Sequence, residues 1–159
     1  MVGARIKILA LGDSYTIGES VPEDERWPVQ LAAVLRAQGV PAAEPRIVAR
    51  TGWTSGELQA AIQQEGIQGR YELVTLLVGV NNQYRGGDLD EYRAQFRDLL
   101  QQAIGFAGGE ANRVLVLSIP DWSVTPFAAD QDRPQIAAEI DRFNRLNHEE
   151  TGHLDARYV

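Results

Sequence analysis

The fold is decided by the stretch Ile6-Lys7-Ile8-Leu9-Ala10-Leu11-Gly12-Asp13-Ser14-Tyr15. Its first six residues are mostly apolar and end at Gly12, a pattern typical of a short buried strand. Asp13 and Ser14 follow, and both residue types are common where a helix begins. The stretch therefore predicts a strand that passes into a helix, with Ser14 at the junction.

The same alternation of strand and helix continues along the chain. Apolar runs predict strands over residues 46–50, 73–78 and 113–119, and a fifth strand begins at residue 156, close to the last residue, 159. Helical spacing of apolar residues predicts helices over 27–38, 55–65, 89–106 and 135–150. Strands that alternate with helices indicate a parallel sheet between helical layers. We therefore expect residues 1–159 to form one three-layer α/β domain.

Composition excludes several classes of function. The 159-residue chain has a net charge of −7, from 15 Lys and Arg against 22 Asp and Glu, which disfavours nucleic acid and anionic membranes as partners. It has no cysteine, so disulfides and thiolate chemistry are excluded. Its apolar runs are too short for a membrane span. Residues 1–5 show no signal peptide, so we expect a cytoplasmic location.

The carboxyl ends of the predicted strands collect the candidate functional residues. Ligands of parallel sheets bind at that edge. Ser14 follows the first strand, Gly52 the second and Asn81 the third. A serine hydroxyl beside free N–H groups of a helix terminus, with Gly52 and Asn81 as further donors, indicates a nucleophile with an oxyanion hole. Each residue alone is as typical of a cap or a turn, and only the joint placement favours a serine hydrolase.

These residues resemble the sequence blocks of the SGNH, or GDSL, family of esterases and lipases. Gly12-Asp13-Ser14 matches the first block, Gly52 the second, and Gly79-Val80-Asn81-Asn82 the third, with Asn82 where aspartate is usual. The resemblance implies a flavodoxin-like α/β/α sandwich with strand order 2-1-3-4-5. It also implies that Ser14 is the nucleophile, that the Ser14 N–H, Gly52 and Asn81 form the oxyanion hole, and that neither a metal nor another cofactor is needed.

The last block of the family, Asp-x-x-His, supplies the catalytic base, and this chain does not contain it. The nearest match is Glu150-Thr151-Gly152-His153, at the end of a helix and thus expected at the opposite edge of the sheet. His148 lies in the same predicted helix. We therefore disfavour His153 as the catalytic base with Glu150 as the carboxylate that orients it. We expect a C-terminally truncated hydrolase of low activity. A shortened fifth strand would expose a sheet edge through which the chain can form a homodimer.

Aromatic residues near the strand ends predict the substrate pocket: Tyr15, Trp53, Tyr84, Trp122 and Phe127. They suit a small-molecule ester, and the sequence leaves open carboxylic esters, thioesters and acetyl esters of carbohydrates. Two other functions stay open. One is a non-catalytic binding module that keeps the pocket without the base. The other is an anion or nucleotide binder at the turn 12–16, although the chain lacks a glycine-rich phosphate loop with lysine.

Overall fold

The structure is a computed structural model that describes residues 5–159. Residues 1–4, part of the stretch on which the signal-peptide expectation rests, lie outside the described residues. The strands are β1 (Ile8–Gly12), β2 (Arg46–Ala49), β3 (Leu73–Leu77), β4 (Val114–Val116) and β5 (Arg157–Tyr158). The helices are α1 (Ser14–Ile17), α2 (Trp27–Ala37), α3 (Ser55–Glu65), α4 (Val80–Tyr84), α5 (Leu89–Phe106) and α6 (Arg133–His153).

The five strands form one parallel sheet in the order β2-β1-β3-β4-β5. Leu11 of β1 lies beside Val48 of β2 on one side and beside Leu76 of β3 on the other. This strand order confirms the order that the family resemblance implies. Because all strands run in the same direction, the loops that follow them meet at one edge of the sheet.

Alternation of side chains along the strands creates the three layers. Leu9, Leu11, Val74 and Leu76 face one side and pack with α3, α5 and α6 in the main core. Ile8 faces the other side, where it packs with Ala32 of α2. Nearly all of these side chains are fully buried, which is expected for parallel strands that are covered on both faces.

Local capping sets where the helices begin. The Thr54 hydroxyl accepts the N–H of Glu57 at 3.4 Å, and the Glu57 carboxylate accepts the N–H of Thr54 at 2.8 Å. This reciprocal capping box starts α3 at Ser55. The Asp132 carboxylate caps α6, which therefore begins two residues earlier than predicted from residue 135.

The predicted strand boundaries differ from the structure by one to three residues, and most at the fourth strand. The fourth strand was predicted over 113–119, but β4 ends at Val116. Backbone hydrogen bonds to the neighbouring strands continue at Leu117 and Ser118. At Ile119 the side chain of Asn144 on α6 replaces them, accepting the Ile119 N–H at 2.7 Å and donating to the Ile119 carbonyl at 2.9 Å. The fifth strand is short but paired, because Arg157 and Tyr158 lie beside β4. β5 therefore covers the edge of β4, and the edge strands of the sheet are β2 and β5.

No helix among residues 5–159 is both long and apolar enough to cross a membrane.

Candidate active site

Ser14 is the first residue of α1, directly after β1. The preceding residue, Asp13, caps this helix, because its carboxylate accepts the N–H of Tyr15 at 3.0 Å. Ser14 itself is half-buried. Its backbone N–H has no hydrogen-bond acceptor within the described part of the chain. The junction therefore offers a hydroxyl and a free N–H donor side by side.

Gly52 lies in the turn that follows β2. Its φ of 88° is in the left-handed region that glycine tolerates best. The carbonyl of Gly52 accepts a hydrogen bond from the Arg85 guanidinium at 2.6 Å. Its N–H, like that of Ser14, has no acceptor among residues 5–159. A second backbone donor is thus available in this turn.

Asn81 belongs to α4, the short helix that follows β3. The entry to this helix requires Gly79, whose φ is 127° and whose Cβ, if present, would lie 2.6 Å from the Tyr92 hydroxyl. The Asn81 amide donates to the carbonyl of Trp53 at 2.9 Å. A side-chain amide carries two N–H groups. One of them therefore remains for a ligand while the other ties α4 to the turn of Gly52.

Ser14, Gly52 and Asn81 line one cavity of about 420 Å³ at the carboxyl edge of the sheet. Three side chains on its border form the aromatic cluster, namely Tyr84, Trp122 and Phe127. Ring centroids in this cluster lie 5.7 to 6.2 Å apart. Tyr15 also lines the cavity, and Glu19 is the one charged side chain among the described lining residues. The site therefore combines polar donors at one end with an apolar border at the other.

Trp53 does not line this cavity, although the sequence predicts it there. Its ring packs against the main hydrophobic core, and its carbonyl is the acceptor for Asn81. The left-handed turn at Gly52 precedes it. Trp53 thus contributes to the site through its backbone carbonyl, which holds the Asn81 amide.

Trp122 is fixed by a chain of hydrogen bonds that reaches α6. Its indole N–H donates to the Gln83 side chain at 2.8 Å, and the Gln83 amide donates to the Glu139 carboxylate at 2.7 Å. Hydrogen bonds from Gln135 and Gln83 hold the pKa of Glu139 below its usual value. The buried Gln83 thereby connects α4, the loop of Trp122 and α6.

Asp13 is the most unusual titratable group at the site. It is fully buried, and one of its carboxylate oxygens, Oδ2, has no hydrogen-bond partner in the described residues. Burial raises the pKa of Asp13 from 3.8 to about 7, against the opposing effect of the hydrogen bond from the Tyr15 N–H. Burial also raises the pKa of Tyr15 above its usual value.

Neither histidine of the chain lines the cavity of Ser14. His153 is in the last turn of α6, before β5, with its Nδ1 3.8 Å from the buried carboxylate of Glu150. Glu150 in turn accepts a hydrogen bond from Arg93 of α5 at 2.6 Å. His148 is exposed and stacks edge-on against Tyr158 at 5.0 Å.

The position of His153 in the fold separates it from Ser14 in two directions. His153 precedes a parallel strand, whereas Ser14 follows one, so they belong to opposite edges of the sheet. β5 is also three strands away from β1, roughly 14 Å across the sheet. Glu150 and His153 are therefore not brought to the nucleophile.

The structure also bears on an anion site at the turn 12–16. The helix that would bind the anion, α1, has only four residues, and the Asp13 carboxylate already accepts one of its free N–H groups. The Tyr15 N–H is therefore not available to an anion that would bind at this terminus. These contacts disfavour the nucleotide-binding alternative.

Three residues at the site carry no recognisable signal in the sequence: Glu19, Gln83 and Arg85. Glu19 borders the cavity, Gln83 fixes Trp122, and Arg85 holds the Gly52 carbonyl. Gln83 lies directly after the Gly79-Val80-Asn81-Asn82 block, which is the only hint to its role.

A parallel sheet of this order, with a serine after its first strand and hydrogen-bond donors after its second and third, is the arrangement of the SGNH class of hydrolases. A model of the GDSL-like Lipase/Acylhydrolase family matches residues 10–159. The chain therefore belongs to this family, and by family it is an ester hydrolase.

Solved structures with the same fold include three proteins of low sequence identity. AlinE4, an SGNH-hydrolase family esterase, is 21% identical over 100% of this chain and 77% of its own, with a TM-score of 0.76. TesA is 18% identical over 96% of this chain and 76% of its own, with a TM-score of 0.75. Esterase EstA from Pseudoalteromonas sp. is 17% identical over 96% and 75%, with a TM-score of 0.67. No curated protein matches the chain.

Proposed function

We propose that this chain carries the nucleophile and oxyanion hole of a carboxylic ester hydrolase, with Ser14 as the nucleophile. One observation carries the proposal: Ser14, Gly52 and Asn81 come from three different loops and line the same cavity. Two of them have backbone N–H groups without acceptors among residues 5–159, and the third has an amide N–H to spare. Such converging donors are what a developing oxyanion requires.

The reaction follows from these groups. Ser14 Oγ attacks the ester carbonyl carbon and gives its proton to a base, while the carbonyl oxygen becomes an oxyanion. The Ser14 N–H, the Gly52 N–H and the Asn81 amide donate to that oxyanion. The oxyanion then collapses, the alcohol leaves with a proton, and Ser14 holds the acyl group as an ester. Water attacks this acyl-enzyme in the same way and releases the acid.

The described residues that line the cavity include no histidine. Histidine is the usual base for serine, and both histidines of the chain lie elsewhere. Loss of the base from a triad lowers the rate by several orders of magnitude. We therefore propose that residues 1–159 react slowly alone and that a base from outside these residues completes the enzyme.

The aromatic cluster supports a substrate with an apolar acyl or aryl group. Tyr84 and Phe127 are 55% and 68% exposed, so most of their ring surface is free to contact a ligand beside Ser14. Related folds include the acetyl xylan esterase AlAXEase, so acetyl esters of carbohydrates belong in the test panel. Neutral p-nitrophenyl esters of rising chain length, an acyl thioester and acetylated xylan would separate the three substrate classes.

Covalent labelling tests the nucleophile without requiring turnover. EstA is inhibited by monoethylphosphonate, which makes phosphonates a suitable probe class. We expect a fluorophosphonate to label this chain once, at Ser14, as identified by peptide mass spectrometry. Ser14→Ala should abolish labelling, whereas Ser123→Ala, a change at a buried serine in another loop, should retain it. Labelling that survives Ser14→Ala would refute the proposal.

A non-catalytic binding module is the second candidate, and the placement of both histidines favours it. Such a module would bind esters or acids in the cavity and leave Ser14 unreactive. Binding measured by tryptophan fluorescence, together with absent phosphonate labelling even at high imidazole concentration, would identify it.

Association through the free edge of β5 is a separate proposal. β5 is an edge strand that pairs with β4 on one side, so the backbone groups on its other side are available to a second copy. Size-exclusion chromatography with light scattering should then detect a dimer of residues 1–159. A monomer at all concentrations would contradict it.

A further inference from the structure

Arg85 connects the two loops that supply the proposed oxyanion hole. It directly follows α4, the helix that carries Asn81. Its Nη2 donates to the carbonyl of Gly52 at 2.6 Å, and its Nη1 lies 3.4 Å from the Glu57 carboxylate on α3. Arg85 is not among the residues that line the cavity with Ser14. It therefore contacts the turn of Gly52 from outside the site.

The turn of Gly52 has few other contacts that fix it. Thr51 is exposed, and Gly52, which has a φ of 88°, is of the residue type with the greatest backbone freedom. Apart from Arg85, the turn is held by the Trp53 N–H, which donates to Arg50 at 3.2 Å, and by Asn81, which donates to Trp53 at 2.9 Å. A hydrogen bond from a charged guanidinium is stronger than either of these neutral ones.

We propose that Arg85 is a positioning residue. It holds Gly52 so that the Gly52 N–H keeps its position relative to the Asn81 amide beside Ser14. This inference rests on the proposed function. Asn81 lies in α4, and Arg85 directly follows that helix. Because Arg85 holds Gly52, the Gly52 N–H and the Asn81 amide move as one unit. Displacement of a catalytic group by about 1 Å can cost on the order of 100-fold in rate. An arginine that contacts no substrate can thereby control the rate.

The test compares Arg85→Ala and Arg85→Lys with the wild type by two independent measurements. The first is hydrogen–deuterium exchange of peptides that cover residues 50–54. The second is the rate of Ser14 labelling by a fluorophosphonate. We expect Arg85→Ala to exchange faster in this turn and to be labelled about 10- to 100-fold more slowly. Arg85→Lys keeps the charge without the two-pronged geometry and should fall between the two.

Chemical rescue separates positioning from a general loss of stability. The Arg85 side chain is 53% exposed, so free guanidinium can reach the vacated place in Arg85→Ala. Millimolar guanidinium, too dilute to unfold the protein, should restore part of the labelling rate. Arg36→Ala is the matched control, because Arg36 also forms a surface ion pair, with Glu44 at 2.6 Å, but on α2. It should change neither measurement.

Each outcome decides the inference. Faster exchange with slower, rescuable labelling supports it. Labelling and exchange of Arg85→Ala equal to those of the wild type overturn the inference. Slow labelling also overturns it if guanidinium does not restore the rate and the melting temperature of the variant is lower. If the wild type is not labelled, the proposed function fails, and the exchange measurement still decides whether Arg85 holds the turn. Unchanged exchange in Arg85→Ala would then overturn the inference alone.

Discussion

Asn82 and Ser55 hold each other through two buried hydrogen bonds. The Ser55 N–H donates to the Asn82 side-chain oxygen at 3.0 Å, and the Asn82 amide donates to the Ser55 hydroxyl at 2.9 Å. The Ser55 hydroxyl donates onward to Gln95 at 2.5 Å. Asn82 stands where the family usually has aspartate, and its amide supplies a donor that an aspartate lacks. The contact fixes the start of α3 against the helix that carries Asn81.

Removal of this contact should destabilise the protein. Asn82→Ala leaves the buried N–H of Ser55 without an acceptor, which typically costs about 1–3 kcal/mol. We expect that loss in the free energy of unfolding, measured by urea denaturation. Asn82→Asp is the control, because its carboxylate still accepts the Ser55 N–H, and it should lose less. Equal stability of Asn82→Ala and the wild type would show that the contact contributes nothing.

The histidines provide a prediction about the missing base. His148→Ala and His153→Ala should leave the rate of Ser14 labelling unchanged, because neither side chain borders the cavity. Added imidazole should instead raise the rate in the wild type, since a small base can enter the open site. Ser14→Ala gives the background reaction of imidazole with the probe. A large loss of labelling in His153→Ala would show that the base is in this chain after all.

Much of the fold and of the candidate site follows from the sequence, and the reason is topological. Parallel strands place the residues that follow them at one edge, so Ser14, Gly52 and Asn81 can be grouped without coordinates. The same reasoning predicts that His153, which precedes a strand, lies at the amino ends of the strands, opposite Ser14. The order of the strands came from the family resemblance, since alternation alone does not determine which strands are neighbours.

What sequence reasoning missed depends on the direction and reach of side chains. Arg85 contacts Gly52 across 33 positions of the chain, and no local pattern marks such a contact. Trp53 was predicted in the pocket from its place in the chain, but the turn directs its ring to the core. Ile119, predicted as the last residue of the fourth strand, instead exchanges hydrogen bonds with Asn144, 25 residues later. Each depends on tertiary packing that neither spacing nor propensity encodes.

The charge at the cavity predicts a preference among substrates. Glu19 is the one charged lining residue that the structure describes, so it repels an anionic acyl or leaving group. Glu19→Gln should raise the labelling rate with an anionic phosphonate relative to a neutral one by about two- to fivefold, the range expected for one exposed charge. The difference should shrink at high salt. Glu23→Gln, a change outside the cavity, is the control. An unchanged ratio would mean that Glu19 does not act on the ligand.

The buried carboxyl of Asp13 should make stability depend on pH. Its pKa is about 7 in the folded protein and close to 3.8 when it is exposed by unfolding. Between these values the folded state holds the proton and the unfolded state does not, so the free energy of unfolding falls as pH rises from about 4 to about 7. Below that window the stabilisation is fully present.

Asp13→Asn removes this titration while preserving an acceptor for the Tyr15 N–H. The difference in unfolding free energy between Asp13→Asn and the wild type should therefore shift in favour of the variant as pH rises from 4 to 8. The upper limit of the shift is about 4 kcal/mol, from the 1.36 kcal/mol that corresponds to each pKa unit. A pH-independent effect of the new amide on the unfolding free energy shifts the whole plot of that free energy against pH and leaves its slope unchanged. Asp121→Asn, at an exposed carboxylate on the same edge, is the matched control for loss of a carboxylate. If the curve of Asp13→Asn ran parallel to that of the wild type, the Asp13 carboxyl would be ionised in the folded state, and Ser14 would lie beside a permanent buried negative charge.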